Sequence, residues 1–378
     1  MKKRLLICLF LSVAMPGILT GCRIDNVQQE EPVSGSIEGV NRDTGKSGKV
    51  KEDTDQECIR ISPETEIKEL EDGFSVVRYE GDYGFDGFLE QGGADSDAGV
   101  AEYLTDQMAS NGLKILFGGS PFGCSTLTVA RSGGGYLFGR NFDWDSCEGL
   151  IVSSRPEQGY ASVSTVNMDF IQAGGFDLSQ FPDSVRAAIG LYAPLDGMNE
   201  KGLAVSVNMI QDSDTIRQDT GKPDLTTTTA VRLLLDQAAD VREAVALLGQ
   251  YDLNASMGMM VHYALADAEG NSVAVEYIEN EMVVTDTSAV TNFYLAQGEK
   301  YGIGTGQSHA RYEILNQALE EHETMTETEM RDILDSVSKD NFGEFESTEW
   351  SIVMDQETKE LTYYHRENYE TAYVIPVE

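Results

Sequence analysis

The run FGCSTLTVARSGGGYLFGRNFDW, residues 122–144, constrains the fold more than any other stretch of the chain. Two β-prone segments flank Ser132-Gly133-Gly134-Gly135, and glycines at that point supply the positive φ that a tight reversal needs. The run therefore reads as a β-hairpin. With its turn centred between Gly133 and Gly134, antiparallel pairing sets Asp143 opposite Cys124, because residues equidistant from the turn face one another. Arg140 precedes Asp143 by three positions, so an ideal strand presents the two on opposite faces. A bulge or strand end near Phe142 is needed to re-aim one of them.

What a thiol, a guanidinium and a carboxylate do together depends on the backbone nitrogen of Cys124. A terminal cysteine carries nucleophile and base in one residue: the thiol attacks a carbonyl, and an α-amine with a pKa of about 7.7–8.0 takes and returns the proton. Arg140 then favours the thiolate and Asp143 orients the amine. No histidine is required, and none of the four (His262, His309, His322, His365) is close to this run in sequence. The bland alternative is a buried apolar thiol beside a structural ion pair. Asn208 sits inside an apolar strand, where an amide is costly unless hydrogen-bonded, so it is either functional or a satisfied core amide. Asn292 ends a Val/Thr-rich strand and also fits an ordinary turn. Arg311 falls in the first turn of a helix, where a cation opposes the helix dipole unless it turns inward to an anion. His262 and His309 read as structural. Phe142 and Trp144 fit an acyl pocket or the core equally well.

Cys124 to Asp143, then Asp196-Gly197-Met198-Asn199-Glu200-Lys201-Gly202-Leu203 leading to Asn208, Thr291-Asn292 and Arg311-Tyr312, resemble the choloylglycine hydrolase family of N-terminal-nucleophile amidases. That family includes bile salt hydrolases and penicillin V acylases and is related to acid ceramidase. The resemblance runs in order from Cys124 almost to the C-terminus. It implies an αββα sandwich and hydrolysis of a linear, non-peptide amide C–N bond in a small N-acyl compound, with no cofactor and no metal. Cys124 is then the nucleophile, Arg140 and Asp143 its support, Asn208 and Asn292 the oxyanion and amine-positioning groups, and Arg311 a further buried polar partner. Bile salt hydrolases typically begin Met-Cys, whereas Cys124 lies deep in this chain. The layout is closer to that of acid ceramidase relatives, which cut themselves ahead of the nucleophile, and this implies autocatalytic cleavage between Gly123 and Cys124. Glycine before the nucleophile leaves the carbonyl open to attack.

The chain starts Met1-Lys2-Lys3-Arg4, runs apolar over 5–19 and reaches Leu19-Thr20-Gly21-Cys22. This is the pattern of a bacterial lipoprotein signal with Cys22 as the lipidated residue, and the apolar run is shorter than the ~20 residues that span a bilayer. The expected organisation is a signal over 1–22, a disordered polar tether over 23–58, a pro-segment or small subunit over 59–123 and an amidase domain over 124–378, lipid-anchored on the extracytoplasmic face of a membrane. The formal net charge of −37, from 64 acidic and 27 basic residues, repels phosphate backbones and argues against nucleic acid as a partner. Of the five cysteines, Cys8 leaves with the signal and Cys22 takes lipid; whether Cys58 and Cys147 pair is left open, and no CxxC or His-rich spacing indicates zinc.

Periodicity predicts strands over 59–67, 74–79, 125–130, 136–142, 150–154, 161–168, 203–209, 259–266 and 272–278, and a turn at Asn199-Glu200-Lys201-Gly202. One long helix is predicted over 226–250, others near Ser308 and at Thr326, where Glu329 completes a capping box, and an edge hairpin from 351–354 and 361–365. Two other functions fit the same residues: a ligand-binding lipoprotein that never matures, and an acyltransferase using the same thioester. Homo-oligomerisation stays open.

Overall fold

The computed structural model describes residues 56–107, 123–145, 147–171, 178–342 and 346–378. The signal, Cys22, nearly all of the tether and the segment 108–122 lie outside the described residues. Two sheets face each other through a shared apolar layer. Among the described residues, one has eight strands in the order Glu57–Arg60, Thr371–Pro376, Glu360–His365, Ser347–Asp355, Tyr136–Trp144, Cys124–Arg131, Ala289–Val290, with Thr324–Met325 also beside Cys124–Arg131. The other has nine, running from Glu281–Asp286 through Ser272–Ile278, Val261–Ala266, Ala204–Met209, Asp196–Asn199, Ser162–Asn167, Gly149–Arg155 and Phe74–Glu80 to Lys68–Glu71.

The helices Asp183–Leu191, Thr227–Gln237 and Val241–Leu248 cover the outer face of the nine-stranded sheet, and Gly306–Glu321 and Glu327–Ser336 cover that of the eight-stranded one. Three apolar layers result: Phe138, Phe142, Trp350 and Ile352 between the sheets, Leu234, Val241 and Tyr263 under the first helices, and Leu315, Met330 and Leu334 under the second. This is the expected αββα sandwich, and it follows from sheets whose two faces must both be covered.

The hairpin forms, but one step out of the expected register: Cys124 pairs with Phe142, and Thr126 with Arg140. The turn centres on Gly133, with Arg131 N–H donating to Gly135 O at 2.9 Å and Gly134 N–H to Arg131 O at 3.0 Å. With Arg131 bonded to Gly135, three residues, 132–134, remain in the loop, an odd number, so Asp143 falls one residue beyond the partner of Cys124; Gly133, Gly134 and Gly135 all take the positive φ (101°, 110° and 82°) this reversal needs. The irregularity expected near Phe142 lies across from it, in the neighbouring strand between Thr348 and Trp350.

Three other expectations change. The helix over 226–250 is two helices. Asp240 accepts from Glu243 N–H at 2.7 Å to start the second, while Asn199 Nδ2 donates to Leu235 O and Ala238 O at 3.1 and 2.8 Å, ending the first. The expected turn at Asn199-Glu200-Lys201-Gly202 forms, with Gly202 N–H donating to Asn199 O at 2.8 Å, and Asp196–Asn199 ahead of it is a buried strand. The hairpin of Ser347–Asp355 and Glu360–His365 is interior, since Thr371–Pro376 and then Glu57–Arg60 pair outside it, the last two in parallel. Segments ahead of Gly123 thus supply strands to both sheets. Of the strand expected over 59–67, only Ile59 and Arg60 pair in a strand, which runs Glu57–Arg60. Cys58 is exposed, Cys147 is buried, and both are free thiols.

Candidate active site

Cys124 opens its strand, fully buried at the layer between the sheets. Arg140, two residues from the partner of Cys124 and on the same face, extends across this layer toward the nine-stranded sheet. Its Nε donates to Asp196 Oδ2 at 3.2 Å, its Nη1 to Asn208 Oδ1 at 3.1 Å and its Nη2 to Val207 O at 3.0 Å. The guanidinium also reaches the Cys124 thiol. Burial raises that thiol above its ordinary range, Arg140 pulls it down and the Asp143 charge pushes it up, so in the intact chain the neutral thiol is favoured. The expected thiolate-favouring effect of Arg140 is therefore present but outweighed by desolvation. Burial works against the charge on Arg140 too, yet Cys124 and Asp196 beside it outweigh that and hold the guanidinium protonated.

Asp143 points to the other face of the strand pair. Thr348 Oγ1 donates to its Oδ1 at 2.7 Å, while Oδ2 faces Lys339 Nζ at 3.5 Å and Arg311 Nη1 at 3.9 Å. Its backbone N–H donates to Gly123 O at 2.9 Å. Arg140 and Asp143 thus stand on opposite sides of Cys124 rather than together, as period-two alternation requires. Gly123 has no room for a side chain: a Cβ there would lie 3.0 Å from Arg311 Nη2 and 3.1 Å from Asp143 Oδ2, and nearer still to Lys339 Nζ.

Asn292 and Arg311 close the site around the backbone of Cys124. Cys124 N–H donates to Asn292 Oδ1 at 2.7 Å, and Asn292 Nδ2 donates to Met209 O at 2.7 Å. Arg311 Nη2 donates to the same Asn292 oxygen at 2.8 Å, and its Nη1 donates to Cys124 O and Ser125 Oγ, both at 2.6 Å. Arg311 belongs to the body of the helix Gly306–Glu321 rather than its first turn, and its inward anionic partner is Asp143. Asn208 Nδ2 donates to Val290 O and Thr291 O, both at 3.4 Å, which ties it to the segment carrying Asn292. All six residues singled out in the sequence, Cys124, Arg140, Asp143, Asn208, Asn292 and Arg311, therefore meet around one backbone position.

Asp196, Thr348 and Lys339 also belong to this cluster and were not singled out. Asp196 had a signal: an acid between Leu195 and Met198 in a buried run is costly unless paired, and it is paired with Arg140 and with Trp350 Nε1, which donates at 3.0 Å. Thr348 and Lys339 had none, since they arrive from a distant strand and loop. Phe142 and Trp144 belong to the inter-sheet core, where Phe142 stacks on Trp350 with centroids 4.0 Å apart and Trp144 packs edge-on to Phe170 at 4.6 Å.

The sequence profile of the acyl-coenzyme A:6-aminopenicillanic acid acyl-transferase family matches residues 180–369. A penicillin V acylase from Pectobacterium atrosepticum is 30% identical over 105 residues, which are 25% of this chain and 28% of that protein, so the match spans little more than a quarter of the relative's length. Among solved structures, a conjugated bile acid hydrolase from Clostridium perfringens overlays with a TM-score of 0.48 at 19% identity, covering 65% of this chain and 89% of its own. A penicillin V acylase from Agrobacterium tumefaciens overlays with a TM-score of 0.46 at 20% identity, covering 64% and 83%.

Proposed function

Because the chain belongs to the acyl-coenzyme A:6-aminopenicillanic acid acyl-transferase family, we propose that it is an N-terminal-nucleophile amidase that cuts itself ahead of Cys124 and then hydrolyses a linear N-acyl amide through a thioester on that residue. The observation that carries this reading is the two-sided surrounding of Cys124. The Arg140 guanidinium reaches its thiol, and its own backbone nitrogen donates to Asn292 Oδ1 at 2.7 Å. A residue whose sulfur and nitrogen are both held by polar groups in a buried layer fits a unit that uses both atoms.

In maturation, Cys124 Sγ attacks the Gly123 carbonyl carbon, the Gly123–Cys124 C–N bond breaks, and nitrogen takes the thiol proton. Water then hydrolyses the resulting thioester, leaving a Gly123 carboxylate and restoring the thiol. The Asp143 N–H already donates to Gly123 O, where negative charge would develop. In turnover, the thiol proton passes to the α-amine as Sγ attacks the substrate carbonyl, and from the amine to the departing nitrogen. The same amine takes a proton from the water that releases the acid. Asp143 Oδ2, buried and making no hydrogen bond among the described residues, is an acceptor for an α-ammonium, Asn292 Oδ1 positions the same nitrogen, and Asn208 supplies an amide donor for the oxyanion.

The family description names acyl transfer, so the second reading is the same thioester resolved by an amine instead of water. Product analysis with and without an added amine acceptor, on processed protein and a panel of N-acyl amides including penicillin V, separates them. Free acid as the main product supports the amidase; conversion mainly to acceptor amide would replace it with a transferase.

Gly123→Ala gives a sharper test of self-cleavage. The added methyl runs into Lys339, Arg311 and Asp143, so cleavage is expected to slow at least tenfold, a factor worth about 1.4 kcal/mol of barrier. Lys339→Ala in the same chain should restore part of the rate, because the nearest obstacle is the mobile end of a long side chain. A gel time course reads both, and wild-type kinetics for Gly123→Ala would contradict the assignment.

A further inference from the structure

We infer that His262 is a positioning residue for this site, paired with Glu276 so that one buried couple fixes the chain on both sides of Asn292. The inference rests on the proposed roles of Cys124 and Asn292.

His262 and Glu276 lie on the adjacent strands Val261–Ala266 and Ser272–Ile278, and both are fully buried. His262 is also the direct cross-strand partner of Asn208. Its Nε2 faces Thr291 O at 2.8 Å, and a carbonyl oxygen only accepts, so Nε2 carries a proton and donates. Its Nδ1 faces Glu276 Oε1 at 3.1 Å, which fixes the ring against rotation. The same carboxylate accepts from the backbone beyond Asn292, with Leu295 N–H on Oε1 at 2.9 Å and Ala296 N–H on Oε2 at 2.6 Å. Glu276 therefore holds residues 295–296 directly and residue 291 through the imidazole. Asn292, which meets the backbone nitrogen of Cys124, lies between the two anchors.

The charged groups around the couple support a positioning role. From the neighbouring strand comes the neutral Asn208, itself held by Arg140 from the opposite sheet, and from the helix Gly306–Glu321 comes Arg311, which donates to Asn292 Oδ1. Burial would raise the Glu276 carboxyl, but the hydrogen bonds from His262, Leu295 and Ala296 outweigh it and leave the carboxyl below its ordinary range. A purely structural couple at a buried position is commonly replaceable by apolar side chains of similar volume at little loss of stability. These two groups instead converge on one active-site peptide.

The test compares full-length, processed protein carrying His262→Phe, His262→Gln or no change, with rates normalised to titrated Cys124. His262→Phe is expected to lower kcat at least tenfold with KM changed by less than threefold. It should also move the acid limb of the kcat/KM profile to lower pH, because a displaced Asn292 Oδ1 no longer favours the charged form of the α-amine. His262→Gln, which still offers an N–H to Thr291 O, should recover part of kcat. Wild-type kcat and pH profile in His262→Phe would overturn the inference, whatever its melting temperature. Should His262→Phe fail to fold, Glu276→Gln takes its place, with kcat expected at least threefold down; equality with wild type would overturn the inference. If wild-type protein turns over no N-acyl amide, the proposed function fails, and the self-cleavage rate becomes the readout, expected tenfold slower in His262→Phe. Equal rates, or no cleavage in either chain, would then overturn the inference.

Discussion

A chain carrying Cys124→Ala is expected to accumulate as one uncut polypeptide and to hydrolyse no N-acyl amide above the uncatalysed rate. Both steps of the proposed chemistry start from the same sulfur, so one atom should remove both. The drop in kcat should be on the order of 10⁶, the scale seen when the nucleophile of another acyl-transfer enzyme is removed. Unfolding is not the explanation for such a loss. Cys124 sits in a packed layer, but deleting a single heavy atom there costs roughly 1 kcal/mol, far below what unfolds a domain of this size. Cys124→Ser keeps an atom able to attack Gly123 and should cleave slowly. A cut and active Cys124→Ala protein would remove the mechanism altogether.

Arg140→Met should produce the next largest effect, and it should appear in stability as well as rate. Arg140 and Asp196 are both fully buried and joined at 3.2 Å. Removing the guanidinium takes the paired cation from the Asp196 carboxylate, which keeps only neutral donors such as Trp350 Nε1, and leaves Asn208 Oδ1 with Ser206 Oγ in a low-dielectric layer. Breaking one partner from such a pair costs about 3–5 kcal/mol. Burial already pushes the Asp196 carboxyl up, with Arg140 as the first of the groups opposing it, so in the variant this carboxyl should protonate more readily than in the wild type. Arg140→Met/Asp196→Asn removes both charges and should recover part of the loss, giving a coupling energy of about 1–3 kcal/mol in a double-mutant cycle. Activity should not recover with it. The thiol loses its adjacent cation in both variants, and kcat/KM is expected to fall by roughly 10³, equivalent to about 4 kcal/mol of transition-state stabilisation. Denaturant melts and steady-state rates read the two quantities separately. A single variant within 1 kcal/mol of wild type, or double-variant activity restored along with stability, would contradict this assignment.

The αββα layering was legible because each layer leaves a local mark: alternating strands, helices with one apolar face and a glycine turn between two strands. The site was legible where a residue violated that pattern. Asn208 inside an apolar strand and Arg140 inside a hairpin are costly without partners, and both have them. The resemblance, more than the physics, selected Asn292 and Arg311, and the structure brings both to Cys124. Non-local pairing set what could not be read. The hairpin register turned on whether its loop held an odd or even number of residues, and three consecutive glycines fit either. The helix break at Ala238–Asp240 depended on Asn199, some forty positions earlier, donating to Ala238 O. Thr348 reaches Asp143 from a strand whose neighbours are fixed only by the folded sheet, and Lys339 from the loop ahead of it. The interior position of the hairpin of Ser347–Asp355 and Glu360–His365 required two further strands, one of them from ahead of Gly123.

The most direct test is the intact mass and N-terminal residue of the purified wild-type chain. The account predicts a polypeptide beginning at Cys124 with an unblocked α-amine. It also predicts that the fragment ending at Gly123 stays with it, because Glu57–Arg60 and Phe74–Glu80 pair with strands of the larger piece. An active protein whose peptide bond between Gly123 and Cys124 is intact would contradict it.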